Sequence, residues 1–406
     1  MCANAFVPRF ESLPRELREQ VMLQCNTTDL LSFARTSKRI HLEAIPIIYR
    51  WVDLSCHNQA RQLRGLGNIL LMSSNICNDL LKKQRIFINT ILEHPYGIYV
   101  SAFTWTHLTI YFDLDRSLEH PGGDSLWKAF QSMQRVEFID IGCSCKDQNL
   151  VIPPALFPAA KSLRIGGQMS YAFLRSILAT SPSTITSLEL DNLIGIEQIS
   201  DGESLSNSHL QWWAWLKLPD SEDANGHPCV RHAGPMNGHL YQLVGRFSRL
   251  QNLTIRTSGH EDWSINGKTA GESTTVVEKE NKIYHEIASF IKSTHLTIES
   301  LVIEHAIPME KYPTYYDHSR MELRARQSTR TIDETFLRHI APALLLVTWP
   351  KLKRLTIKGI GDKPEGVTED YSSLSERDPS ILRGAKQQLV TALGLEVLVT
   401  WDAPFC

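Results

Sequence analysis

The sequence predicts an α/β chain: three short helices at the N-terminus, then an irregular solenoid of alternating strands and helices. Three observations predict it. Residues 13–54 set helix-opening and capping residues around apolar positions of helical spacing. From Trp105 onward, an apolar residue is followed three positions later by Leu or Val and two later by another apolar residue, again and again. The segments between these copies carry apolar residues at helical spacing.

At the N-terminus, Leu13-Pro14 opens the first helix, because proline suits a first helical position and has no amide to leave unsatisfied. Leu13, Leu17 and Val21 follow at spacings of four and form one apolar stripe. Asn26-Thr27-Thr28-Asp29 is a breaker and capping cluster. A second helix is expected from Leu30-Leu31, with Phe33 and Ala34. Ser37 caps a third, which carries Ile40, Ala44 and Ile45 and is expected to kink or end just before Pro46, since proline cannot donate to the ladder. Ile47 to Leu54 lead out of a domain expected over residues 8–54.

Residues 55–100 form a transition. Asn68 to Leu81 has mixed helical spacing, and Ile86 to Leu92 fits either a strand or a buried helix.

The repeat pattern then fills residues 101–406. Its copies are Trp105-Leu108-Ile110, Met133-Val136-Phe138, Ala160-Leu163-Ile165, Ile185-Leu188-Leu190, Leu250-Leu253-Ile255, Ile298-Leu301-Ile303 and Leu352-Leu355-Ile357, with Leu395-Leu398-Thr400 as a weaker last copy. The first four centres are 28, 27 and 25 residues apart, a spacing within the range of leucine-rich repeats. Helical spacing recurs at Ser125–Met133, Tyr171–Ala179, Leu240–Phe247, Ile283–Lys292 and Thr335–Val347. Leu108, Val136, Leu163, Leu188, Leu253, Leu301 and Leu355 are expected to stack inward. Thr109, Glu137, Arg164, Glu189, Thr254, Val302 and Thr356 are expected on the solvent side. The later centres are 65, 48, 54 and 43 residues apart, so insertions are expected at Asp191–Asn237, Arg256–Asn281, Glu304–Asp333 and Gly359–Ser380.

Composition narrows the function. The chain has 406 residues, 42% hydrophobic and 21% charged, which is globular. A net charge of −2 argues against neutralising nucleic-acid phosphates. No apolar run approaches a membrane span and no signal peptide is evident. Eight scattered cysteines without a CxxC pair read as reduced thiols of the cytoplasm or nucleus.

Chemistry-bearing motifs are few. The sequence has no GxSxG, HExxH, GxxxxGK[ST] or complete GxGxxG; Gly65-Leu66-Gly67 lacks the third glycine. No cofactor and no metal site are expected: Cys143 and Cys145 read as structural thiols, and His227, Cys229 and His232 as polar loop residues without a fourth ligand. Trp212, Trp213 and Trp215 either pack their insertion onto the solenoid or present an anchor for a partner. Tyr312, Tyr315 and Tyr316 precede Arg320, Arg324, Arg326 and Arg330, which suit either an acidic ligand or a solvated loop.

Taken together, the Leu13-Pro14 opening with Glu16-Leu17, the Asp29 to His41 middle and the Ile45 to Leu54 exit resemble an F-box of the form common in fungal proteins. The rest resembles a leucine-rich-repeat domain. The resemblance implies a non-enzymatic substrate receptor that binds the Skp adaptor, and through it cullin, in a ubiquitin ligase. Leu13, Pro14, Leu17, Val21, Leu30, Leu31 and Ile45 would then supply the adaptor face or its support. The repeat domain would hold an unidentified target protein, with the Trp212–Trp215 and Tyr312–Tyr316 clusters as candidate contacts. Two alternatives stay open: an adaptor-bound scaffold without a ubiquitin role, and an enzyme whose site is built on the insertions.

Overall fold

A computed structural model describes residues 10–56, 74–108, 123–144, 155–168, 171–178, 182–194, 240, 243–257, 274–305, 336–358, 360, 379–394 and 396–402. The first helix, α1, spans Arg15–Leu23 with Pro14 at its N-cap, one residue earlier than the expected first helical position. Next, α2 covers Thr27–Ala34, beginning three residues earlier than expected. The reason is local: the Asn26 side chain accepts from the Asp29 amide at 2.9 Å, so Thr27 to Asp29 form the first turn instead of a breaker. As expected, Ser37 caps the third helix, α3 (Lys38–Ile48), by accepting from the Ile40 amide at 3.3 Å. This helix does not end before Pro46 but runs on through it. Proline there removes one ladder bond near the C-terminal end, and the continuation lets Ile47 and Ile48 pack against the small core of Met22, Leu30 and Ala44.

Only Tyr49 and Arg50 separate α3 from the first strand, β1 (Trp51–Leu54). The following helix, α4 (Ser74–Glu93), decides the ambiguous Ile86–Leu92 run: it is helical, with Phe87, Ile88 and Ile91 buried. A 3-10 turn, Pro95–Tyr99, leads to β2 (Ala102–Leu108). Further strands are β3 (Phe138–Ser144), β4 (Ser162–Gln168), β5 (Ser187–Ile194), β6 (Asn252–Thr257), β7 (Ser300–His305), β8 (Arg354–Lys358) and β9 (Leu398–Asp402). Among the described residues these nine strands make one sheet, every neighbouring pair parallel and the spatial order identical to the chain order. The chain is thus a helical N-terminal region followed by a mixed α/β region with a parallel sheet.

The register explains the repeat pattern and corrects part of it. Leu163, Leu188, Leu253, Leu301 and Leu355 lie side by side on successive strands, all buried, as expected. Their neighbours on β3 and β2 are Ile139 and Phe103, not Val136 and Leu108. Val136 is buried, but it precedes β3 and matches Ala160 in the next copy. Leu108 ends β2, and the described residues do not include its side chain. At the far edge Val399, not Leu398, pairs with Leu355. The true centres 103, 139 and 163 are 36 and 24 residues apart, so the near-constant early period does not hold.

A backbone motif enforces this register. The carbonyls of Arg50, Ser101, Glu137, Lys161, Thr186, Gln251 and Glu299 each accept from two successive amides of the following copy, at 2.7–3.1 Å. Each copy therefore enters the sheet at the same step, whatever the length of chain that precedes it.

The second layer comprises α5 (Gly123–Ser132), α6 (Tyr171–Leu178), α7 (Thr274–Ser293), a π turn at Phe336–Ile340 running into α8 (Ala341–Leu345), and α9 (Pro379–Leu393). Phe130, Leu174, Ile287, Leu344 and Leu389 from these elements share one core with the inward strand residues. Two expectations fail here. Residues 243–250 form turns rather than the helix expected over Leu240–Phe247; Gly245 adopts a φ of 75°, which ends any helix, while Leu240, Leu243, Phe247 and Leu250 are still buried. The insertion expected to reach Asn281 instead ends in α7, which starts at Thr274.

Candidate functional site

The helical unit is unusual in what it buries. On α1 the expected stripe faces solvent: Leu17 is 46% exposed and Val21 43%. Leu31 on α2 is 44% exposed, Pro14 is exposed and Leu13 is half-buried. Leu30 and Ile45 are buried, and Leu30 packs with Met22 and Ala44 in the small helical core. The inner side of α1 presents Arg18 and Met22. Arg18 is only 1% exposed.

The Arg18 guanidinium uses its whole fork. Nε donates to Glu43 Oε2 at 2.7 Å, and Nη2 donates to Oε1 of the same carboxylate on α3. Nη1 donates to the Leu13 carbonyl and to the Glu11 carbonyl at 3.3 Å. The hydrogen bonds from Arg18 hold the Glu43 carboxyl below the usual carboxylate range. A fixed, planar cation thus joins α3 to the backbone just before α1. Apolar periodicity gives no sign of this pair, because its members are charged and 25 residues apart.

A second polar cluster lies on the sheet face opposite the second layer. Arg164 on β4 meets Glu189 at 2.8 Å and Asp191 at 3.3 Å on β5. Arg256 on β6 pairs with Glu189 and, at 2.8 Å, with Glu304 on β7. Burial works against the Arg256 cation, but Glu189, Glu304 and Asp191 outweigh it and raise its affinity for the proton. Arg164, Glu189, Thr254, Val302 and Thr356 are half-buried and lie side by side on this face, the one expected for them. Glu137 is exposed but precedes β3. Alternating charge on adjacent strands makes the cluster a cross-strand clasp. At the edge of the same face, Trp51 is 76% exposed, and its register row continues through Ala102 to the exposed Phe138.

Trp212, Trp213, Trp215, Tyr312, Tyr315 and Tyr316 lie outside the described residues, as do Thr109, His227, Cys229 and His232. Among the described residues, no group of three or more His, Cys, Asp and Glu is placed to hold a metal ion, and no helix is long and apolar enough to cross a membrane.

A model of the F-box domain matches residues 10–42. The chain carries an F-box domain. No curated protein matches the chain. The matched F-box ends inside α3, one residue before Glu43, so the partner of Arg18 lies just beyond it. An F-box supports binding to the Skp adaptor of SCF-type ubiquitin ligases. Within residues 10–42, Leu17, Val21, Leu23, Leu31 and Leu42 are the exposed large apolar side chains.

Proposed function

We propose that the chain is the substrate-recognition subunit of a Skp–cullin–F-box ubiquitin ligase, of the fungal type, and that it is not itself an enzyme. The F-box at residues 10–42, with its apolar stripe turned to solvent, carries this reading. In it, residues 8–54 dock the Skp adaptor, residues 55–100 brace the junction, and residues 101–406 hold a target as an irregular leucine-rich-repeat-like solenoid. The solenoid reading is supported by parallel strands in chain order and by the recurring two-amide acceptor that starts β2 to β8.

The mechanism is proximity. One end is anchored to the ligase while the other raises the effective concentration of target lysines near a charged conjugating enzyme. No residue of this chain forms a bond to ubiquitin. The segments containing Trp212–Trp215 and Tyr312–Tyr316 follow the carboxyl ends of β5 and β7, strands separated only by β6. Such ligases work in the cytoplasm or nucleus.

The test is affinity purification of the full chain under proteasome inhibition, beside a variant with Leu13→Ala and Pro14→Ala. Skp adaptor and cullin are expected with the wild type and absent with the variant, while target proteins stay with both. Adaptor without cullin on the wild type would remove the ligase assignment and leave a scaffold. Equal adaptor recovery from both would remove the docking assignment.

A further inference from the structure

We propose that Arg18 is the positioning residue of adaptor docking, acting through the Leu13–Pro14 backbone rather than by touching the adaptor. This rests on the adaptor-binding reading above. The reasoning starts from a conflict in α1. A nine-residue helix on a three-helix unit would ordinarily turn its apolar residues inward, yet Leu17 and Val21 face out and an arginine faces in. Burying a guanidinium is tolerable only when its donors are met. Glu43 meets two of them, from a helix 25 residues away. The remaining contacts go to the carbonyls of Glu11 and Leu13, at the entry to α1.

The Leu13 carbonyl has particular leverage. It belongs to the residue before Pro14, whose ring fixes its own φ and restricts Leu13. Pinning that carbonyl therefore sets where Pro14 and the start of α1 sit relative to α3. A simple α1–α3 ion pair would need only Glu43; the contacts to Leu13 and Glu11 are what a positioning role adds. Arg39 also approaches Glu43, at 3.6 Å, but its side chain is exposed. Lysine in place of Arg18 keeps the charge and one contact to Glu43, but it lacks the rigid fork that reaches both partners at once.

The experiment uses the full chain and purified Skp adaptor, with affinity measured by calorimetry and folding by circular-dichroism melting. Arg18→Lys is expected to weaken adaptor binding by at least about tenfold while the chain stays folded. The decisive variant exchanges the pair, Arg18→Glu with Glu43→Arg. It restores an α1–α3 ion pair but leaves no donor for the Leu13 carbonyl, so melting should recover beyond that of Arg18→Glu alone while binding stays weak. Full recovery of binding by the exchange would show a merely structural pair and overturn the proposal, as would Arg18→Lys binding like wild type. If both variants unfold, Glu43→Gln decides. It keeps the shape and an acceptor but loosens the guanidinium, so a several-fold weaker affinity on a folded chain supports the proposal and wild-type affinity overturns it. Leu17→Ala with Val21→Ala separates the two claims. If that exposed pair binds adaptor normally, the docking reading itself falls; if it fails to bind while Arg18→Lys binds, only the positioning role falls.

Discussion

The ring of Tyr49 lies against the ring of Tyr96, with centroids 5.0 Å apart and planes inclined at 40°. Tyr49 caps the last F-box-side helix, and Tyr96 belongs to the 3-10 turn that precedes β2. Phe87 of α4 also stacks on Tyr49, at 6.4 Å. These contacts fasten the helical unit to the sheet core.

Tyr49→Leu should therefore cost about 0.5–1.5 kcal/mol beyond lost area, the usual worth of an aromatic pair. Urea unfolding of the two chains measures it. Burial, and then Tyr96, raise the Tyr49 phenol above its ordinary value. The folded state thus keeps a proton that the unfolded state has lost. The contribution is whole below about pH 10 and declines as pH rises toward the folded value. A steeper alkaline loss of stability in wild type than in Tyr49→Phe is the expected result.

Leu163→Ala should destabilise by about 2–5 kcal/mol, because the side chain sits in the middle of the buried row. Lys161→Ala, which removes only an exposed pair with Glu137 at 2.7 Å, should cost at most about 1 kcal/mol. Parallel melts in denaturant check the contrast, and coincident curves would refute the register.

Gly97→Ala tests the junction from another side. A Cβ at Gly97 would lie 2.3 Å from Ser132 Oγ and 3.1 Å from the Ser132 backbone carbon at the end of α5. The hydroxyl can swing away, but the backbone cannot, so a loss of about 1–3 kcal/mol is expected. Combining Gly97→Ala with Ser132→Ala should recover part of it.

His339 offers a pH readout. Burial, then His285 and Arg338, lower its proton affinity, and its Nε2 lies 3.0 Å from Asn281 Oδ1. The unfolded chain takes up a proton here before the folded chain does. Stability from this group is whole above about pH 6.5 and falls as pH drops through the folded value. Between pH 7 and 5, wild type should lose more stability than His339→Gln, by chemical denaturation at each pH.

Much of the sheet was legible because β4 to β8 place leucine at the central position, with apolar residues three before and two after. The first strands slipped because their central residues are Phe103 and Ile139, while Leu108 and Val136 supplied the expected residue type a few positions away. Local spacing cannot choose between such frames; the carbonyl of Ser101 accepting from Glu137 and Phe138 does, and that is a contact across copies. The apolar stripe was visible as Leu13, Leu17 and Val21, but its outward direction was not, because period identifies a face and not what the face meets. Arg18 was invisible for the same reason: its role depends on Glu43, a long-range partner.

The link of Tyr49 and Arg50 between α3 and β1 leaves no room for a swivel. Each strand stands about 4.8 Å from the next, so the nine in order span roughly 38 Å from β1 to β9. The sheet is then a graduated arm whose zero mark lies at the F-box end. Under the proposed function, a target seated near β8 would be carried about 30 Å farther out than one seated near β2. Under that same function, strand number rather than any linker would set how far from the ligase a captured lysine is presented.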